Sequence, residues 1–408
     1  MHAPSLTDNR FGADSVRRAR RAISAIFLLN GAGIGAWAVH VPIVQARAGF
    51  DTATLGLLLL TIAGGAMAAM PAAGWLSARY GSRRLTVISA LLFPFVMAAL
   101  IAASAPLLLF MLAFCFGAAN GTLDVAMNAN ATEVEKARGV PTMSSFHGFF
   151  SLGGLFGAGL GGLMLKLGLG NGEGAAALAA AIVAAVLLAR PAILRVAPAP
   201  GQHGPGLRLP RGQVLCLGLL ALLCMAVEGA LVDWSALVLK ERSGASAAQA
   251  ALGFSLFSIT MAACRFAGDG LVLRFGARGV MVAGGLAIAA GVLLAVATGN
   301  YLVSALGFGL VGLGAANVVP VIFTAAARTP GMAPGVGLAT AATVGYSGFL
   351  LGPPVIGWIA AHAGLAVGVG SLALAGAVIA ASANVVRAGA APHRESEAAG
   401  AENDVIRG

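Results

Sequence analysis

The sequence is poor in charged residues and in cysteine, and each shortage excludes a class of protein. Only 10% of the 408 residues are charged, whereas 59% are hydrophobic. A soluble domain has about a quarter of its residues charged, so this chain cannot cover a water-facing surface and lipid must surround most of it. The four cysteines all lie in apolar runs without metal-site spacing or a Cys-x-x-Cys pair. We therefore expect neither a metal site nor a disulfide framework.

The sequence also lacks the local signatures of catalysis. We find no nucleophile elbow, no His-Glu-x-x-His pair and no phosphate-binding loop, so we expect no enzyme activity and no cofactor. The net charge of +10 does not indicate a nucleic-acid partner. If twelve membrane crossings are assumed, most of the lysines and arginines fall on the side of the N-terminus, and this positive-inside bias explains the basic character of the chain.

Long apolar runs separated by short polar segments predict twelve membrane-spanning helices. In lipid every backbone N–H and C=O needs an internal partner, so only helices or closed barrels can span, and the runs do not alternate as barrel strands do. We therefore predict an all-α polytopic membrane protein. Its predicted segments are a tail (1–22), a six-helix bundle (23–193), a linker rich in Pro and Gly (194–212), a second six-helix bundle (213–386) and a second tail (387–408).

The second half of the chain repeats features of the first. The equivalent pairs, 195 or 197 residues apart, are Trp37/Trp234, Asn120/Asn317, Arg79/Arg274, Gly81/Gly276 and Arg83/Arg278. A duplicated bundle of membrane helices is the architecture of a rocking-type transporter, whose binding site lies where the halves meet. We expect such a site here.

The fourth predicted helix has a polar stripe. Asn120, Asp124 and Asn128 are spaced i, i+4, i+8 and therefore lie on one face, which must line a wet cavity. We expect Asp124 to bind the coupling proton, a substrate hydroxyl or a cation, and the alternative is a structural hydrogen-bond role. Asn120 and Asn128 are predicted substrate contacts, as is Asn317 in the second half.

Other polar residues inside predicted spans suggest further roles. Glu228 is predicted to face the cavity and to take part in proton coupling. Asp233 lies about 140° from it around the same helix and is predicted to close an outer gate or to meet a neighbouring helix. Trp37 and Trp234 are predicted to contact the ligand or to anchor the helices at the membrane interface.

Two spacings concern charge partners. Arg265 and Asp269 are spaced i, i+4 and are predicted to pair on one helix face as a structural or gating contact. His40, in the first predicted helix, is a candidate for proton coupling.

The segment after the second predicted helix resembles a family signature. Gly74-Trp-Leu-Ser-Ala78-Arg79-Tyr-Gly81-Ser-Arg83-Arg84 is similar to the loop G-x-L-x-D-R-x-G-R-R of the major facilitator superfamily. Ala78 stands where the family has an acid, and the second copy has an acid one turn earlier, at Asp269. The resemblance implies that this loop and its repeat form a gate on the N-terminal side. The residues so implied are Gly74, Arg79, Gly81, Arg83, Asp269, Arg274, Gly276 and Arg278.

A closer resemblance lies in the fourth helix. Leu123-Asp124-Val-Ala-Met-Asn128 is similar to the L-E-x-x-x-N stretch of the fucose–proton symporter branch, where the carboxylate is linked to proton coupling. Three further stretches, 145–148, 228–235 and 345–353, are similar to a poorly characterised bacterial branch of the superfamily. The resemblance implies a protein of the bacterial inner membrane with both termini in the cytoplasm.

Together these features predict a secondary transporter that moves a small solute, such as a sugar or sugar-like compound, by alternating access with proton coupling. The expected partners are that solute, the proton and the lipid bilayer, and we expect a monomer. Two alternatives stay open. One is a proton-driven exporter of drug-like or lipophilic compounds, and the other is a membrane sensor that binds a ligand without transporting it.

Overall fold

The computed structural model describes residues 12–50, 52–168, 172–195, 211–245 and 247–387, and within these ranges every regular element is a helix. Most of the predicted linker at 194–212, residues 1–11 of the first predicted tail and residues 388–408 of the second lie outside the described residues. Helix α1 begins at Ala13, within the predicted first tail (1–22). The helices are α1 (Ala13–Ala48), α2 (Thr52–Tyr80), α3 (Ser82–Ala102), α4 (Pro106–Arg138), α5 (Met143–Lys166), α6 (Glu173–Ala189), α7 (Gly212–Ser243), α8 (Ala247–Ala297), α9 (Tyr301–Ala315), α10 (Val318–Ala327), α11 (Pro334–Ala363), α12 (Leu365–Gly370) and α13 (Leu372–Ala381).

The chain crosses the membrane twelve times, as predicted. Among the described residues, nine helical stretches are long and apolar enough to span. One of them, Leu252–Ala297, contains two crossings, because α8 bends at Gly276, where φ is +70° and ψ is 163°. The nine stretches therefore account for ten crossings, one of which is made by the pair α9–α10 (Tyr301–Ala327). Helix α5 and the short apolar pair α12–α13 take the remaining two places in a twelve-helix arrangement. Gly276 suits the bend because a left-handed φ strains any residue that has a Cβ.

Two buried cores hold the bundles together; one lies within the first half, and the other lies mainly in the second half and takes in residues of α2 and α4. Phe27, Phe93 and Phe116 are among the fully buried side chains of the first core, and Phe308 and Phe323 lie in the second. Helix α1 packs against α5 at backbone distance, since a Cβ at Gly31 would lie 2.0 Å from the carbonyl oxygen of Phe150. Small residues allow such close approach, which supplies the van der Waals contact that holds membrane helices together.

The two halves meet along two pairs of helices. Helix α2 packs on α11, and α5 packs on α8. We define the inner side as the side on which α1 begins. At that side Gly74 lies against Ala339, and Gly148 lies against Phe266. The seam therefore brings the second and fifth helices of one half against the fifth and second helices of the other.

Candidate functional site: a polar cavity at the seam

A cavity of about 260 Å³ lies between the two halves at the middle of the helices. Its wall includes residues from α1, α4 and α5 on one side and from α7, α8, α10 and α11 on the other. The polar lining residues are Asn120, Asp124, His147, Glu228, Arg265 and Tyr346. The apolar lining residues are Phe27, Ile34, Met127, Phe150, Met225, Val319, Phe323 and Phe349. Four of the predicted site residues therefore line one cavity: Asn120, Asp124, Glu228 and Arg265.

The polar stripe of α4 makes two hydrogen-bonded groups with neighbouring helices of the first half. Asn30 of α1 donates from Nδ2 to Oδ1 of Asn120 at 2.9 Å, and Asn128 donates from Nδ2 to Oδ1 of Asp124 at 3.1 Å. His147 of α5 lies with Nε2 3.2 Å from Oδ1 of Asn128. Because that oxygen can only accept, Nε2 must bear a hydrogen. The stripe thus links α1, α4 and α5.

Asp124 is the least compensated charged group in this cavity. Its side chain is buried, and the Tyr346 hydroxyl from the other half lies within interaction range of its carboxyl. Among the described residues, none donates a hydrogen bond to Oδ2 and none forms an ion pair with Asp124. This carboxyl therefore faces the seam with capacity to bind a further group.

Glu228 differs from Asp124 because it has a cationic partner. Arg265 of α8 approaches Glu228 Oε2 to 3.6 Å through Nη2, and Nη1 of the same guanidinium donates to Ser151 Oγ of α5 at 2.8 Å. Arg265 Nε donates to the carbonyl oxygen of Ala316 at 3.3 Å. One guanidinium thus joins α5, α7 and the turn before α10.

A proline explains why that carbonyl is free. Pro320 has no N–H to donate to the carbonyl four residues earlier, which is that of Ala316. The helix is interrupted there, between α9 and α10. Arg265 donates to the Ala316 carbonyl the hydrogen bond that the Pro320 nitrogen cannot supply. The interruption of the helix at Pro320 is therefore part of the site.

The predicted pair between Arg265 and Asp269 does not form. Asp269 instead accepts hydrogen bonds from the backbone N–H groups of Ser144 at 2.9 Å and Ser145 at 3.2 Å, at the start of α5. Spacing of i, i+4 permits a pair but does not require one. Arg265 pairs with Glu228 on α7. Asp269 accepts from backbone N–H groups at the start of α5, which a helix N-terminus leaves without intrahelical partners.

A second carboxylate binds the same helix start. Glu135 Oε2 accepts from the backbone N–H groups of Thr142 at 2.7 Å and Met143 at 2.9 Å. Its Oε1 lies 2.8 Å from Nη2 of Arg328, which belongs to the other half. The N-terminus of α5 is therefore bound by Asp269 across the seam and by Glu135 within its own half. The Glu135–Arg328 ion pair adds a second contact between the halves at the inner side.

The loop arginines implied by the resemblance bind within their own halves. Arg83 donates to the carbonyl oxygen of Arg190 at 3.0 Å, and Arg278 donates to Asn384 Oδ1 at 2.7 Å. Arg79 lies 5.5 Å from the ring centres of Trp75 and Tyr80, and Arg274 lies 5.3 Å from that of Phe275. Gly81 and Gly276 both have positive φ, at +88° and +70°. Arg83 and Arg278 thus fix the third helix of each half to the end of its sixth.

Five further predicted residues also lie outside the cavity. Trp37 is buried with its ring 5.8 Å from that of Phe116, and His40 is buried with Nδ1 2.7 Å from the carbonyl oxygen of Ala36. Trp234 is half-buried and Asp233 is exposed. Asn317 donates from Nδ2 to the carbonyl oxygen of Cys264 at 3.1 Å. In this conformation the two tryptophans pack against protein and do not line the seam.

Sequence reasoning missed several residues that complete the site. Asn30 and Tyr346 are polar groups within long apolar runs, and that isolation was a usable signal. His147 lies near the predicted start of a helix, where a polar residue is ordinary, yet it is buried at the cavity. Glu135 and Arg328 have no local signal, because they are near helix ends where charges are common and their contact joins residues 193 positions apart.

Two six-helix bundles with a polar, partly charged cavity at their seam define a membrane transporter of the alternating-access type. Comparison with known proteins identifies the family. The model of the Major Facilitator Superfamily matches residues 22–242. An MFS-type transporter of Yersinia pestis is 39% identical, over 88% of this chain and 94% of that protein. The membrane protein MosC of Rhizobium meliloti is 35% identical, over 89% of this chain and 90% of that protein. The chain belongs to the major facilitator superfamily, so it is a transporter and not an enzyme.

Solved structures share the fold at low identity. The fucose:proton symporter of Escherichia coli superposes with a TM-score of 0.76 at 19% identity, covering 91% of this chain and 99% of that chain. The human organic anion transporter MFSD10 superposes with a TM-score of 0.71 at 17% identity, covering 91% and 99%. These likenesses establish the twelve-helix fold.

Proposed function

We propose that this transporter is coupled to protons and moves a small polar solute through the seam cavity, with Asp124 as the coupling carboxylate. The observation on which this proposal rests is the position of Asp124. It is buried at the seam, hydrogen-bonded to Asn128, close to Tyr346 of the other half, and without a cationic partner among the described residues.

The cost of burying a charge favours that role. An ionised aspartate at mid-membrane costs about 2.5–3.5 kcal/mol on insertion scales. The ion pair with Arg265 offsets this cost for Glu228, whereas Asp124 has no cationic partner among the described residues. A proton or a polar solute at the free oxygen of Asp124 would relieve it. We assign proton coupling to Asp124 and treat the Glu228–Arg265 pair as a second, coupled element. His40 is about 15 Å along α1 from Asn30 and is not part of this proposal.

The size and chemistry of the cavity favour a small hydroxylated solute, such as a sugar or sugar-like compound. Its volume of about 260 Å³ lies below the roughly 300–1,000 Å³ of sites for drug-sized ligands. Amide, carboxylate, guanidinium and phenol groups all face it, and they offer both donors and acceptors. The solved fucose and xylose symporters with the same fold make their sugars sensible first compounds to test.

The contacts at the inner side support an outward-facing state. Between described residues, the polar contacts that join the halves lie at the cavity or inward of it: Tyr346 near Asp124, Arg265 with Ser151, Asp269 with the start of α5, and Glu135 with Arg328. We propose that the inner side is cytoplasmic, in a bacterial inner membrane, with both termini there. Segments 23–193 and 213–386 would then rock against each other as two units.

An apolar wall supports a second candidate, export of lipophilic compounds. Phe27, Phe150, Phe323 and Phe349 all line the cavity and would suit a flat, apolar ligand. The small volume speaks against it, so we place it second.

A ligand screen tests the proposal. The purified protein would be heated with sugars, sugar acids, amino acids and drug-like compounds, because a ligand that binds the native state raises the unfolding temperature by mass action. Any stabilising compound would then be tested for pH-driven flux in proteoliposomes. We expect a hydroxylated solute to stabilise the protein and to move with protons. Stabilisation by lipophilic compounds alone would favour the exporter.

A further inference from the structure

A second cavity lies on the lipid-facing side of the first half. It measures about 490 Å³ and lies between α1, α5 and α6 near the inner side. We call it the α1 groove and define it by Arg20, Arg21, Ser24, Leu28, Leu29 and Phe149. It is separate from the seam cavity, since the two share no lining residue.

The lining of the α1 groove changes from basic and polar at its inner end to apolar deeper in the membrane. Arg20, Arg21 and Ser24 lie at its inner end, and Leu28 and Leu29 lie deeper. From Arg21 to Leu29 the helix rises about 12 Å. Two guanidiniums at the inner end of an apolar channel of this length are complementary to a lipid phosphate at the membrane surface followed by the first part of its acyl chain.

The two arginines are available for such a ligand. Arg20 Nε is buried and has no hydrogen-bond partner among the described residues, and Arg21 makes no ion pair with any of them. By contrast, Arg17 on the same helix pairs with Asp14. Basic pockets between membrane helices on the cytoplasmic side are suited to anionic lipid headgroups.

We propose that the α1 groove binds one anionic glycerophospholipid of the inner leaflet, with its phosphate between Arg20 and Arg21 and one acyl chain along Leu28 and Leu29. The lipid would touch the seam indirectly. Phe149 stacks edge-on against Phe266 of the other half at 5.7 Å, and Arg20 lies within electrostatic range of Asp269. A lipid phosphate would therefore compete with Asp269 for Arg20 at the inner contact between the halves.

Native mass spectrometry of the delipidated full chain would test this proposal. The protein would be titrated with phosphatidylglycerol, with phosphatidylcholine and with inorganic phosphate. The Arg20→Gln/Arg21→Gln variant would be compared with Arg17→Gln/Arg18→Gln, which removes the same charge from the same helix outside the groove. We expect one retained phosphatidylglycerol, weakened about thirtyfold by losing Arg20 and Arg21, the attraction expected of two basic residues at an anionic surface. The matched control variant should retain it.

A second variant covers the case in which the arginine variant does not fold. Ala185→Trp would fill the α1 groove while keeping every arginine, because Ala185 lines it from α6. We expect this variant to lose the retained lipid. Equal losses in both arginine variants, equal retention of phosphatidylcholine, full competition by inorganic phosphate, or an unchanged lipid in Ala185→Trp would each overturn the proposal.

Discussion

Gly74 and Asp269, 195 residues apart, occupy equivalent places in the two halves, and each contacts the first turns of the fifth helix of the opposite half. Gly74 lies against Gly335 and Ala339 near the start of α11, and Asp269 accepts from Ser144 and Ser145 at the start of α5. The equivalent positions thus make different contacts: Gly74 of the first half packs closely against the backbone of α11, and Asp269 of the second half binds the start of α5 through its carboxylate. Both contacts close the inner side.

Removing the charged contact should open the inner side. Asp269→Ala loses two hydrogen bonds to a carboxylate, each worth about 1.5–3 kcal/mol, so the balance between closed and open inner sides should shift at least tenfold towards open. Spin labels at Lys136 and Phe275, in a cysteine-free background, report this as a longer inter-label distance. Asp14→Ala, at an exposed site, should leave the distances unchanged. Unaltered distances in Asp269→Ala would show that this contact does not hold the halves.

The backbone contact should be equally sensitive to bulk. A Cβ at Gly74 would lie 2.5 Å from Cβ of Ala339 and 2.9 Å from the carbonyl oxygen of Gly335. Gly74→Val should therefore force α2 and α11 apart and lengthen the same label distance. Gly64 is on the same helix, and a Cβ there would meet no heavy atom of the described residues within 4 Å. Gly64→Val is therefore the matched control and should behave as the parent protein. If Gly74→Val keeps the closed distance, the close approach is not required.

These two contacts show what the sequence could predict and what it could not. The repeat at 195–197 residues predicted equivalent positions, and the apolar runs predicted twelve crossings, because both depend on local composition and spacing. The partners of Gly74 and Asp269 lie in the opposite half of the chain. They depend on how the two bundles pack together, which cannot be predicted from local sequence spacing. The same reason explains why Arg265 pairs with Glu228 and not with Asp269.

In the cavity too, local spacing predicted which residues share a helix face but not which residues of other helices contact them. Helical spacing placed Asn120, Asp124 and Asn128 on one face. In the structure Asn120 bonds to Asn30 of α1, and Asn128 bonds to both Asp124 and His147 of α5. The partners Asn30, His147 and Tyr346 come from other helices, so they required tertiary contacts. The repeat also suggested that Trp37 and Trp234 share a role, but sequence equivalence did not say which helix face meets the seam.

The Glu228–Arg265 pair should show strong coupling in a double-mutant cycle. Breaking a buried pair by removing one partner costs about 3–5 kcal/mol, because the other charge stays buried and unpaired. Glu228→Gln and Arg265→Gln should each lower the unfolding temperature sharply, and the double variant should recover much of that loss. The partly exposed Lys136–Glu133 pair is the control, where Lys136→Gln should cost under about 1 kcal/mol. Additive losses in the cycle would contradict a coupled pair.

Trp37 should matter for stability and not for choice of solute. It is buried against Phe116 and does not line the seam cavity, so Trp37→Ala should destabilise the protein by about 3–5 kcal/mol. Phe349→Ala, which alters the cavity wall, should change the relative affinities of solutes instead. Thermal unfolding and competition binding separate the two effects. A changed order of solute affinities in Trp37→Ala would restore this residue as a ligand contact.

The central claim is that Asp124 couples solute movement to protons, and transport by Asp124→Asn in proteoliposomes tests it most directly. The solute would be one identified by the stabilisation screen, and Asp14→Asn would be the control. The account predicts that Asp124→Asn still exchanges labelled for unlabelled solute at equal pH but does not accumulate it under an imposed proton gradient. Full proton-driven accumulation by Asp124→Asn would contradict the account.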